Sequence, residues 1–170
     1  IIEESARRIM ALFEAHVTED LFLFGSRPSL ADFGWLGQLS QLAVDPTPQD
    51  LMRADYPFTF RWLANLDDAS GLEGDWRDPD APLADAVTGL LKLAGEIYFP
   101  FLLANAEAVS KKEETFGVEL LGHTYKQGAF RYQVKCLSEL RWAFSKLDPD
   151  SKKKAAAVLD QAGCLKPLGG

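Results

Sequence analysis

The residue types that most often perform catalysis are sparse in this chain. Its histidines are His16 and His123, and its cysteines are Cys136 and Cys164. No Cys-x-x-Cys pair or Cys/His cluster is present, so the sequence indicates neither a zinc site nor a redox pair. Neither histidine has a serine or cysteine partner that the sequence can supply. We therefore predict no catalytic residue and no metal ligand in this chain.

Carboxylates are concentrated in the stretch 67–82, which is rich in Asp, Gly and Pro and is typical of a long loop. A solvated carboxylate keeps its ordinary pKa, which disfavours general acid–base chemistry there. A loop of this length often has a function of its own or is mobile. Trp76 lies within it and is expected to anchor it to the core.

Four aromatic residues could line a cleft for an apolar ligand: Trp35, Trp76, Tyr125 and Tyr132. Large aromatic side chains bury much apolar surface, and Tyr and Trp add a polar group for orientation. The alternative is that all four are core or loop anchors, which their helical and loop positions favour.

Two segments have the pattern of a helix N-terminal capping box. Ser29 and Asp32 are spaced as S-x-x-D, so the Ser29 hydroxyl can accept from the Asp32 amide while the carboxylate accepts from the Ser29 amide. Thr47 and Asp50 have the same spacing, with Pro48 at the first helical position. We predict that both boxes are structural elements.

The helices that position these groups are predicted from the helical spacing of apolar residues. The first predicted helix runs from Glu3 to about Phe22, with Gly25 as its C-terminal stop. The helix after Ser29 contains Gly34 and Gly37, which weaken it by about 1 kcal/mol each. Tolerance of two glycines indicates close approach by a neighbouring element, so this helix is expected to be central.

Further helices are predicted for residues 57–66, 83–110, 130–147 and 151–162. Pro100 must kink or split the longest of them, because it removes one hydrogen bond and crowds the preceding turn. Alternation of apolar with small or polar residues between Thr115 and Ala129 predicts a β-hairpin with a turn at Gly122-His123. Two strands are marginal alone, so this hairpin must pack on the helices.

The length and composition suit one domain. The chain has 170 residues, 47% of them hydrophobic, and a formal net charge of −7. An acidic chain disfavours nucleic acid and anionic membrane as partners, and no apolar run approaches 18 residues. A cytoplasmic location is expected from the two cysteines and the absence of a signal peptide. Because the chain begins Ile1-Ile2 without Met, we expect it to start partway through a longer protein.

The stretch 22–33, FLFGSRPSLADF, resembles the signature of the glutathione S-transferase C-terminal domain, with Ser29 and Asp32 at the two capping positions. Tyr56-Pro57 and the segment 61–63 resemble the next helix of that family. Segments 100–106 and 132–137 are similar to a bacterial branch of unassigned substrate. The resemblance implies an all-α helical bundle of the glutathione S-transferase C-terminal type. The one small β-hairpin predicted near residues 115–128 is a departure from ordinary members of that family.

The resemblance also implies partners. In that family an N-terminal thioredoxin-like domain binds glutathione, and it is absent from residues 1–170. The chain is then one substrate-side domain, glutathione is the co-substrate of the full-length protein, and a small apolar electrophile is attacked. A homodimer is possible. The isolated chain is expected to be inactive. The alternative is a non-catalytic protein-interaction or dimerisation module of the same fold.

Overall fold

A computed structural model describes residues 1–169 as mostly helical with one antiparallel hairpin, which confirms the predicted fold class. The elements in chain order are α1 (Ile2–His16), α2 (Leu30–Val44), α3 (Pro46–Asp55), α4 (Pro57–Asp67), α5 (Asp85–Leu93), a π-helical turn (Ala94–Tyr98), α6 (Phe99–Lys111), β1 (Thr115–Leu120), β2 (His123–Gly128), α7 (Arg131–Ser145), α8 (Pro149–Gln161) and a 3-10 turn (Lys166–Leu168).

The chain divides into two compact units. The N-terminal unit is Ile2–Gly89, and the C-terminal unit begins at Leu90 and also includes Ile1. Phe13 lies at the centre of the N-terminal unit, fully buried, with the rings of Trp35 and Trp62 at centroid distances of 5.6 and 5.0 Å. The core of the C-terminal unit comprises Phe99, Leu102, Leu137, Phe144, Ala162, Cys164 and Leu168.

Helix α1 is shorter than predicted and ends at His16. The His16 ring is buried, and its Nε2 atom lies 3.1 Å from the carbonyl oxygen of Phe22 in the following loop. Gly25 is therefore not the stop of this helix. It has a φ of 133° and forms isolated β-bridges with Phe22 and Trp76.

The predicted Thr47–Asp50 capping box is wrong. Helix α3 begins two residues earlier: Asp45 is its N-cap, Pro46 is the first helical residue, and Asp45 Oδ1 accepts from the Thr47 amide at 3.2 Å. Asp50 lies inside α3 and is exposed. The sequence offers Asp-Pro and Thr-Pro in succession, and proline is tolerated throughout a first turn, where amides have no helical acceptor.

The long helix predicted for residues 83–110 is interrupted at the expected place. Between α5 and α6 the helix widens into the π-helical turn, where the Phe99 amide donates to the Ala94 carbonyl, five residues earlier. Pro100 follows immediately and has no amide hydrogen to donate. A π-turn is one of the ways in which a helix accommodates such a lost bond.

Within the described residues, the helix Asp85–Lys111 is long and apolar enough to cross a membrane by length and composition alone, although no 18-residue apolar run was expected. The core helix of a folded domain has the same length and composition. Of the apolar 18-residue stretch within this helix, 22% is buried in the structure. The helix contributes Phe99 and Leu102 to the core of the C-terminal unit. This finding is weak evidence for a membrane span.

The β-hairpin forms where it was predicted. Strands β1 and β2 pair antiparallel, and Leu121 and Gly122, with φ of 52° and 77°, make the two-residue turn between them. His123 was predicted to lie in the turn, but it is the first residue of β2. Phe116 packs against Phe101 of α6 with ring centroids 5.3 Å apart, which is the expected support from a helix.

Candidate functional site on helix α2

Helix α2 begins at a buried network centred on Asp32, whose side chain is fully buried. Its Oδ2 atom accepts from the Ser29 amide at 2.8 Å and from the Ser29 hydroxyl at 2.6 Å, and its Oδ1 atom accepts from the Leu23 amide at 3.0 Å. The Ser29 hydroxyl in turn accepts from the Asp32 amide at 3.4 Å. The predicted Ser29–Asp32 box is therefore present, and it also holds the preceding loop.

The glycine of the signature stretch has a packing role. A side chain on Gly25 would overlap the Asp75 carbonyl oxygen and lie 2.7 Å from the Arg77 nitrogen. The Arg77 amide donates to the Phe24 carbonyl oxygen at 2.7 Å. The long loop is thus held to the signature through its backbone. The Trp76 ring, predicted to anchor this loop, is 55% exposed.

One face of α2 is exposed and carries no charged side chain. Its residues follow a helical stripe, which we call the α2 stripe: Leu30, Phe33, Gly34, Gly37, Gln38, Gln41 and Val44. Leu30 is 89% exposed and Val44 is 74% exposed. Solvent-facing helix surfaces normally carry charged and polar residues, so an uncharged stripe of this kind indicates an interaction surface.

The glycines of the α2 stripe are not in close contact with another element. A Cβ atom built on Gly34 or Gly37 would have nothing within 4 Å. The prediction that a neighbour approaches these glycines closely is wrong for the chain as it stands, because helical spacing shows which face they share but not what covers it.

The two tryptophans proposed for a ligand cleft have different surroundings. Trp35 is half-buried and packs edge-on against Phe13. Trp76 lies beneath the Arg27 guanidinium, 4.7 Å from the ring centroid. The structure shows a core contact for one ring and a cation–π contact for the other. Their assignment to a ligand cleft remains a prediction.

The two tyrosines proposed for the cleft belong to the C-terminal unit. Tyr125 lies on β2, with its ring centroid 6.1 Å from that of Phe101 and its hydroxyl donating to Gln127 Oε1 at 2.6 Å. Tyr132 lies in the first turn of α7 and is 68% exposed. Hydrogen bonding and ring packing already account for Tyr125, whereas Tyr132 presents most of its ring to solvent.

A third tyrosine that the sequence did not single out lies near Tyr132. Partial burial raises the pKa of Tyr98, and the neighbouring Cys136 thiol and Tyr132 phenol raise it further. Tyr98 belongs to the π-helical turn, whereas Tyr132 and Cys136 lie one turn apart on α7. Only the packing of the two helices brings these groups together, so sequence spacing gave no signal for them.

Comparison with known protein families gives a match to the first four helices of the chain. The family model of the glutathione S-transferase C-terminal domain matches residues 2–65, which include α1, α2, α3 and most of α4. Residues 2–65 are thus similar to the C-terminal domain of glutathione S-transferases. No curated protein and no solved structure gave a match. The match includes the Ser29–Asp32 box and the whole α2 stripe.

A carboxylate in this glutathione S-transferase-like segment was missed from the sequence. Glu14 of α1 accepts from the amides of Phe58 and Thr59 at 3.1 and 2.8 Å, and from the Thr59 hydroxyl at 2.8 Å. It therefore caps α4, whose own N-cap residue, Tyr56, makes no side-chain cap bond. The donor and acceptor are more than 40 residues apart, so no local pattern reveals the pair.

Proposed function

We propose that this chain is the substrate-side helical domain of a glutathione S-transferase-like protein. The observation that carries the proposal is the buried Ser29–Asp32 box within a segment that matches the family model. In full-length proteins of that family a C-terminal domain of this type implies an N-terminal thioredoxin-like partner domain. The chemistry proposed for the whole protein is attack of the glutathione thiolate on a small apolar electrophile, or thiol exchange.

We infer that the α2 stripe is the surface on which the thioredoxin-like domain docks. The family match supplies the occupant, and the lack of charge on the stripe supports it, because burial of unpaired charges is costly. Gly34 and Gly37 leave room for a neighbouring backbone to approach α2 closely. The docked domain would cover the exposed side chains of Leu30 and Phe33.

Within this proposal the two domains have separate roles. The thioredoxin-like domain would bind glutathione and stabilise its thiolate, since the thiolate is the nucleophile. The helical domain would supply apolar side chains that position the electrophile and exclude water. This division agrees with the prediction that no catalytic residue lies in the chain.

Conjugation of glutathione to an aryl halide tests the proposal. The purified 170-residue chain is expected to show no turnover, and the longer gene product that contains the thioredoxin-like domain is expected to show it. Isothermal titration of that longer product with glutathione gives a second readout. Turnover by the isolated chain, or no glutathione binding by the longer product, would overturn the proposal.

A single isosteric substitution tests the docking surface. Gln38→Glu places one charge on the α2 stripe, and we expect it to weaken binding of the separately expressed thioredoxin-like domain by about ten-fold or more. Gln161→Glu makes the same change at an exposed position at the end of α8 and is the matched control. Equal binding by both variants would exclude the stripe as the docking surface.

The second candidate is a non-catalytic interaction or dimerisation module, and the exposed α2 stripe is the observation that favours it. Sedimentation of the purified chain distinguishes the two candidates. Self-association that Gln38→Glu abolishes, combined with no glutathione binding by the longer product, would favour the module. A monomeric chain would favour the substrate-side domain.

A further inference from the structure

The π-helical turn and the end of α8 are in unusually close contact within the C-terminal unit. A methyl group on Gly95 would overlap the Ala162 carbonyl oxygen and lie 3.1 Å from the Ala162 carbonyl carbon and 3.3 Å from that of Gly163. Gly95 is not one of the residues with positive φ, so backbone freedom is not why glycine is needed. Glycine is required because the backbone of the α8 end occupies the space of a side chain.

The chain leaves α8 through a Schellman turn. Gly163 has a φ of 71°, its amide donates to the Asp160 carbonyl at 3.0 Å, and the Cys164 amide donates to the Leu159 carbonyl at 2.7 Å. These bonds satisfy helix-end carbonyls and reverse the chain direction. The residues that follow return to the core of the unit. We call residues 162–168 the C-terminal strap.

The strap buries the side chains of Ala162, Cys164 and Leu168. Two side-chain hydrogen bonds also hold it. The Cys164 thiol donates to the Leu91 carbonyl oxygen, with sulfur and oxygen 3.2 Å apart, and Arg141 Nε donates to the Pro167 carbonyl oxygen at 2.8 Å. Leu91 lies in α5 just before the helix widens, and Arg141 lies in α7, so these bonds hold the strap to two helices of the unit.

We propose that the C-terminal strap packs against the π-helical turn in a closed state. The strap opens from this surface as a unit and thereby controls access to Cys164. A short segment can open locally at a lower free-energy cost than the unfolding of the whole unit. The closed strap conceals the thiol completely, since Cys164 is 0% exposed. The open strap presents it to solvent. This inference does not depend on the proposed glutathione chemistry.

Alkylation of Cys164 by iodoacetamide measures the opening. The parent for the experiment is Cys136→Ser, which removes the half-exposed second thiol. In the closed state the reaction is slow because the thiol is covered, and burial also raises its pKa and so lowers the thiolate fraction. Labelling is followed by mass spectrometry under native conditions and in increasing urea, alongside circular dichroism.

Gly95→Ala is the main variant. The added methyl group collides with the Ala162 carbonyl, so we expect native-state labelling of Cys164 to accelerate about ten-fold or more, with little loss of helical signal. Gly37→Ala is the matched control, because it adds the same atom to a helix where nothing lies within 4 Å. Its labelling rate should equal that of the parent.

Arg141→Ala is a second variant that keeps the proposal testable if Gly95→Ala does not fold. It removes the bond to the Pro167 carbonyl and should also accelerate labelling. Two results would overturn the proposal. One is a labelling rate in Arg141→Ala equal to the parent rate. The other is labelling of the parent that begins only where urea unfolds the whole helical signal.

Discussion

Glycine has opposite surroundings in two helical segments of this protein, helix α2 and the π-helical turn. In α2, Gly34 and Gly37 face open space. In the π-helical turn, Gly95 lies against the backbone at the end of α8, with no room for a methyl group. Glycine costs a helix about 1 kcal/mol relative to alanine in either place. The difference shows that close packing explains glycine at Gly95, whereas no such contact with the described residues explains it in α2.

The two helices are also held differently. Helix α2 is fixed at its N-terminus, where the buried Asp32 carboxylate accepts three hydrogen bonds. The π-helical turn has no side-chain cap bond at its start and is held by its packing with the strap. Asp32→Ala and Gly37→Ala therefore act on α2, whereas Gly95→Ala acts on the π-helical turn.

The largest effect is expected for Asp32→Ala. It leaves the buried amides of Leu23 and Ser29 without acceptors, and we expect a loss of about 3 kcal/mol or more in the free energy of unfolding. Urea denaturation measures it. Asp50→Ala is the control, since Asp50 is exposed within α3 and its removal should change stability by about 0.5 kcal/mol or less. Equal losses would contradict the central role of the buried box.

Gly95→Ala is expected to have the second largest effect on the free energy of unfolding. Overpacking against the Ala162 carbonyl should lower the free energy of unfolding by about 1–3 kcal/mol, although alanine is the better helix former. Thermal and urea unfolding report the change. An increase in stability would mean that the strap does not pack closely against Gly95.

Gly37→Ala is expected to change stability in the opposite direction. Nothing lies near its Cβ position, so the chain should gain up to about 1 kcal/mol. The same variant should weaken docking of a thioredoxin-like domain if that domain approaches α2 closely. A loss of stability in the isolated chain would show that the α2 stripe is covered by residues of this chain.

The smallest effect is expected at Asp148, an exposed N-cap that contrasts with buried Asp32. Hydrogen bonds from the Ser151 side chain and amide lower the pKa of Asp148. Because the folded pKa is below the unfolded one, the stabilisation is complete at neutral pH and is lost as pH falls through the folded pKa, below about pH 4. The thermal midpoint of Asp148→Asn, which keeps a good cap without a titrating carboxyl, should fall less steeply with acid.

Local physics explains what could be predicted. The Ser29–Asp32 box, the division of the long helix near Pro100 and the hairpin all follow from contacts between residues a few positions apart. Where two local solutions compete, as at Asp45-Pro46 and Thr47-Pro48, the same patterns do not identify the first helical residue. The long-range cap of α4 by Glu14 has no local signature at all.

The amino-acid sequence by itself determined the helical class, the single hairpin, the principal cap and the family resemblance, because propensity, capping and periodicity depend on neighbours along the chain. Only the tertiary structure decided which glycine is in close contact and which is open. It also decided that Gly25 accommodates the backbone of the long loop and that Cys164 is concealed by the strap. These outcomes depend on which distant backbones meet, and spacing along one helix carries no information about that.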